Sequence, residues 1–191
     1  MRYNAELENL DLLLYGRISN VLHPWDTAVS WGISAATWHY RVHAAFVLKV
    51  FGRTLVCDAS AGGVWPRPVS EDLADGRDIL VLRPIGGWPV TIDAEAVFSD
   101  VCDIWGSGRY AFGKCGLNAL SELLGPLSSR EQIPEGAIPR KAFCSELASA
   151  FGRKHGGLDV CPGFIDRFTT PADIAKSKLL TTVVDRLTFA A

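Results

Sequence analysis

The chain has 191 residues, 48% apolar and 21% charged, so it suits one domain with a sizeable core and is not a disordered polyelectrolyte. Lys and Arg number 19 against 21 Asp and Glu, and the net charge of −2 excludes the basic footprint of a nucleic-acid binder. Five cysteines, an odd count with no C-x-x-C spacing, argue against a disulfide framework and against a zinc knuckle.

The opening MRYNAELENLDLLLY places two glutamates before a short apolar run, which is not the pattern of a Sec signal peptide. The longest apolar segment, AAFVLKVF, is far too short to span a bilayer. A cytoplasmic setting, or delivery within a phage particle, is the corresponding expectation. Residues 10–15 (LDLLLY) predict a buried strand, and 16–37 a loop with one helical turn at most. Residues 42–50 (VHAAFVLKV) and 54–59 (TLVCDA) read as a hairpin around Phe51-Gly52-Arg53. The Gly- and Pro-rich stretch 60–68 reads as loop, with a short helix starting over 70–73. ILVLR at 79–83 predicts a strand ended by Pro84. Helical spacing follows over 93–105, 119–124 and 141–155, the last closed by Gly156-Gly157. A helical turn at 171–176 and a strand within 179–189 complete the chain. Strands gather in the first half and at the end, helices in the second half. This predicts an α+β fold, an antiparallel sheet with helices packed on it.

A thiol nucleophile needs a lowered pKa, a nearby base and backbone donors for an oxyanion. A helix N-terminus supplies the first and third. Cys144, at the front of AFCSELASAFGRKHGG, is the cysteine best placed for this, in a helix expected to begin between Arg140 and Phe143. It also shares a stripe with Leu147, Ala148 and Phe151, so periodicity alone describes a buried core thiol.

Four histidines compete for the role of base. His23 precedes a proline in a loop. His155 lies at the far end of the Cys144 helix, roughly 16 Å away by helical rise, where it would complement the dipole. His39 and His43 remain, and His43 opens a strand that would fix its direction. Asp58 is the acid that could orient it. A four-residue loop at 49–52 would set Asp58 directly across from His43, whereas a two-residue loop at Gly52-Arg53 would pair Asp58 with Val47. The sequence permits the first register without compelling it.

Taken in order, LDLLLY, WHYRVHAAFVLK, LVCDASAGGVWPRPVSEDL, ILVLRP, FCSELASAF and TTPADIAKSKLL resemble the circularly permuted NlpC/P60 cysteine peptidases, the YiiX-like branch of the papain-like superfamily. The resemblance implies a papain-like fold in one domain over 1–191. It implies Cys144 as nucleophile, His43 as general base and Asp58 as the orienting residue, where relatives often carry a longer glutamate. It places Tyr110 beside the substrate, and Trp38, which flanks the site in sequence, is a second candidate for lining it. It implies no cofactor and no metal. The implied activity is hydrolysis of amide bonds, commonly in peptidoglycan stem peptides. Acyl-lipid thioesterases and acyltransferases share this permuted fold, and a non-catalytic module in a phage virion or tail is a third reading. Trp25, Trp31, Trp38 and Trp65 flank the site in sequence, with core packing expected for at least two of them.

Overall fold

The apolar run LLLY forms β1 (Leu12–Tyr15), central in the sheet and buried at every position because both faces of the sheet are covered there. In this computed structural model the described residues are 2–17, 31, 34–35, 38–60, 63–105, 138, 142–162 and 169–190. The expected helix at 119–124 lies outside them. The strands β2 (His43–Val50), β3 (Arg53–Ser60), β4 (Gly63–Pro68), β5 (Ile79–Pro84) and β6 (Leu180–Val184) join β1 in one sheet, ordered β4-β3-β2-β1-β5-β6. Every pairing is antiparallel. The helices are α1 (Val69–Ala74), α2 (Ala94–Ile104), α3 (Cys144–Gly156) and α4 (Pro171–Lys176). The mixed α+β architecture is therefore the one expected.

Three local expectations are corrected. The Gly/Pro-rich stretch at 60–68 is largely a strand: β4 pairs with β3 from Ser60↔Gly63 to Leu55↔Pro68. It lies at the edge of the sheet, where proline's missing N–H leaves no neighbouring strand short of a donor. The β2–β3 turn is neither of the two considered. Val50 pairs with Arg53 around Phe51-Gly52, both at positive φ (52° and 70°), as a tight two-residue hairpin turn demands. Finally, α3 starts at Cys144 itself, with Phe143 extended at the N-cap, and ends on Gly157 at φ 68°.

Strand alternation divides the core into two layers. One face carries Leu12, Leu14, Ala44, Phe46, Leu48 and Cys57 against Val97 and Val101 of α2 and Leu147, Ala148 and Phe151 of α3. Phe46 and Phe151 stack there with centroids 4.5 Å apart. The other face carries Leu13, Tyr15, Ala45, Val47, Val56, Ile79 and Val81, covered by Val69, Leu7 and Leu187. The helix α3 is buried nearly all round over its first two turns, not along one stripe. Its polar positions are accordingly bonded: Ser145 Oγ donates to the Thr169 carbonyl at 2.7 Å, and Glu146 reaches back to the Phe143 N–H at 3.4 Å. At its far end Gly152 and Gly156 lie flat against the Trp88 indole, and a Cβ at Gly156 would collide with that ring.

Candidate active site

The thiol comes from the first residue of α3. Cys144 is 3% exposed and sits at the N-terminal, positive dipole end of a 13-residue helix. The histidine comes from the first residue of β2, at the end of the sheet. His43 Nε2 lies 2.7 Å from Asp58 Oδ2, and the Cys144 sulfur is within hydrogen-bonding reach of the same ring. With Nε2 committed to Asp58, Nδ1 is the ring nitrogen left to face the thiol. Three expected residues, Cys144, His43 and Asp58, thus meet in one line.

The route by which Asp58 reaches His43 differs from the expected one. Extending the observed register places Asp58 opposite Ala45 and Ser60 opposite His43. Asp58 is the diagonal neighbour of His43 on the same face of the sheet, a separation that side chains of this length bridge.

A buried polar network, not foreseen from the sequence, fixes the carboxylate. Arg67 of β4 donates from Nη1 to Asp58 Oδ1 (2.8 Å) and from Nη2 to Asp58 Oδ2 (3.0 Å). The same guanidinium donates from Nε and Nη2 to both oxygens of Asp72 in α1, each at 3.0 Å. The Tyr15 hydroxyl donates to Asp72 Oδ2 at 2.6 Å, and the Tyr15 ring lies 5.4 Å from that of His43. Asp58 and Asp72 are each 2% exposed, so each carboxylate needs this partner. A sequence signal did exist: a lone aspartate in the apolar strand TLVCDA must be paired, and Arg67 is the cation of the neighbouring strand.

The electrostatics follow from these contacts. Burial alone would lower the His43 pKa, but the Cys144 thiolate and the Asp58 carboxylate outweigh it and raise it to about 10. Burial alone would raise Asp58, but the hydrogen bond and charge of His43, with Arg67, hold it down to about 2. The protonated ring is therefore the form that these contacts favour. Cys57, next to Asp58 in sequence but on the other face, has its thiol pushed up by burial and by that carboxylate, as befits an inert core cysteine.

His39 does not share the geometry of His43. Its Nδ1 accepts from the Arg41 N–H at 3.0 Å, and burial with Lys176 and Arg41 lowers its pKa. His155 bonds Asp100 of α2 at 2.6 Å rather than only facing the helix end. Trp38 is 89% exposed at φ 50°, beside a small pocket with Trp31 and Tyr40. Trp31 and Trp65 are also exposed, which corrects the expectation that at least two of the four tryptophans pack in the core; Trp25 lies outside the described residues. Tyr110 lies outside them too, so its place beside the substrate is untested.

No protein-family model matches the chain, and no curated protein matches it. Among solved structures it is similar to the crystal structure of the metalloprotein YiiX from Escherichia coli O157:H7, DUF1105. The TM-score is 0.52 at 15% identity, over 93% of this chain and 97% of that one. At such identity the likeness concerns the fold. Among the described residues no group of three or more His, Cys, Asp or Glu side chains is placed to hold a metal ion, and both Asp58 oxygens are already taken by His43 and Arg67. No helix among them is long and apolar enough to cross a membrane.

Proposed function

We propose that the chain is a thiol hydrolase of the papain-like class, in the permuted NlpC/P60 arrangement, acting on amide bonds. The observation that carries this reading is the Cys144–His43–Asp58 line at the N-terminus of α3. The chain order His, Asp, Cys and the overlap with YiiX support the permuted branch.

The steps follow from the geometry. The Cys144 thiolate attacks the substrate carbonyl, and the helix-end N–H groups stabilise the oxygen that becomes negative. The His43 imidazolium gives its proton to the departing amine as the C–N bond breaks, leaving an acyl-thioester on Cys144. Neutral His43 then takes a proton from water, whose oxygen attacks the thioester. The carboxylic acid leaves and the proton returns to the thiolate–imidazolium pair. Asp58 holds the ring through Nε2 throughout, so Nδ1 keeps facing sulfur. Peptidoglycan stem peptides are the first substrate class to try.

The test compares wild type with Cys144→Ala on peptidoglycan fragments, model peptides and acyl lipids, with products read by mass spectrometry. Hydrolysis that depends on Cys144 is expected on an amide substrate, whereas turnover confined to acyl lipids would reassign the substrate. Iodoacetamide should also label Cys144 at pH 6, where an ordinary thiol is under about 1% ionised. Absence of both turnover and labelling would overturn the reading.

A further inference from the structure

Described residues that follow β1 and precede β2 line a small pocket of about 280 Å³. The lining includes Arg17, Trp31, Ser34, Trp38, His39 and Tyr40. The Arg17 guanidinium lies 4.6 Å from the Trp31 ring centroid and 5.6 Å from that of Tyr40. Its Nε is buried without a hydrogen-bond partner.

The neighbouring cation makes the contrast. Arg41 pairs with Asp78 at 3.2 Å and donates to the carbonyls of Leu14 and Asp78, so both that charge and that carboxylate are spent. Tyr40 draws on Asp78 as well. No acidic side chain among the described residues lies within ion-pair distance of Arg17. A cation flanked by aromatic faces, with no carboxylate beside it among the described residues, is a carboxylate receptor in the making: the rings hold the fork in place and thin the water around it. The exposure of Trp31, Trp38 and Tyr40 adds an apolar rim, and Trp38 keeps a left-handed backbone to present its ring.

The pocket also adjoins the end of the strand pairing that carries His43. Tyr15 pairs with His43, and Arg17 follows two residues on, about 7 Å along the extended chain. We infer that Arg17, between Trp31 and Tyr40, is the subsite for a carboxylate borne by the substrate, and so makes the enzyme selective for acidic or free-acid peptides. This rests on the hydrolase reading above for its setting, but the binding can be measured without turnover.

The probe is hippurate against its neutral analogue hippuramide, titrated into Cys144→Ala with binding read by tryptophan fluorescence and by calorimetry. Hippurate should bind at least tenfold more tightly, with the preference weakening as salt rises. Arg17→Gln in that background should equalise the two ligands, and Arg17→Lys should keep part of the preference. Equal binding of acid and amide to the unmutated pocket overturns the inference whether or not Arg17→Gln folds, and so does a preference that survives in a folded Arg17→Gln. If hippurate binds through Arg17 while wild type shows neither turnover nor Cys144 labelling at pH 6, the carboxylate site stands and the hydrolase reading falls. If Cys144-dependent turnover is found but acid and amide bind equally, the reverse holds.

Discussion

Replacing Arg67 by methionine keeps most of its length and removes the guanidinium that joins Asp58 to Asp72. Four hydrogen bonds of 2.8–3.0 Å disappear, and two carboxylates, each 2% exposed, lose their shared cation. Breaking a buried pair costs about 3–5 kcal/mol. His43 still holds Asp58, while Tyr15 and Arg77 (3.7 Å) still face Asp72, so the lower end, ~3 kcal/mol, applies. For a chain of this size that is a fall in Tm of roughly 6–12 °C. The pH dependence gives a sharper check. Wild-type Asp58 is held down to about 2, so its contribution is complete above the ordinary 3.8 and is lost as pH falls through about 2. The gap in Tm between Arg67→Met and wild type should therefore be widest at pH 6–7 and narrow as pH falls below 4. Scanning calorimetry from pH 2 to 7 measures both. A fall under about 2 °C at pH 7, or a gap that does not close in acid, would refute the argument that Arg67 holds charged carboxylates.

Other expectations follow from the same geometry. His43→Ala should lower Cys144-dependent kcat/KM by about 10²–10⁴ and abolish labelling at pH 6, with the circular dichroism spectrum unchanged. His43, raised to about 10, contributes stability that is complete below 6.5 and lost as pH rises through about 10. Cys144→Ala removes the largest of the groups raising it, so the alkaline loss of Tm should begin at lower pH in that variant; superimposable melting curves from pH 7 to 10.5 would contradict this. Gly156→Ala drives a methyl into the Trp88 ring and should destabilise by ~1–3 kcal/mol, with a shift in tryptophan emission.

Much of this arrangement is legible in the sequence, for reasons that can be named. The side chains of a strand alternate with a period of two. Moving the hairpin register by two residues therefore changes which residues are opposite but not which face they share. Asp58 and His43 stay on one face in the expected pairing and in the observed one, so the contact survives a wrong turn. β4 was illegible because glycine and proline signal loop, and only its place at a sheet edge makes WPRP a permissible strand. Arg67 and Asp72 lie only five residues apart, but Tyr15 comes to them from 57 residues away, and no local pattern announces that meeting. Periodicity marked Cys144 as core-facing, and it is buried; what periodicity lacks is the helix terminus, which sets the chemistry of that burial.

The two layers of the core meet the reaction from opposite sides. Asp58, Arg67 and Asp72 belong to the face covered by α1, whereas Cys144 rides on the helix packed against the other, and the imidazole at the sheet's rim touches both. The ring works as a rivet through a laminate. A small slip of α3 over the sheet would part sulfur from nitrogen while each layer kept its hydrophobic contacts. Inactivation on warming would then report delamination, at a temperature below the one at which the chain melts.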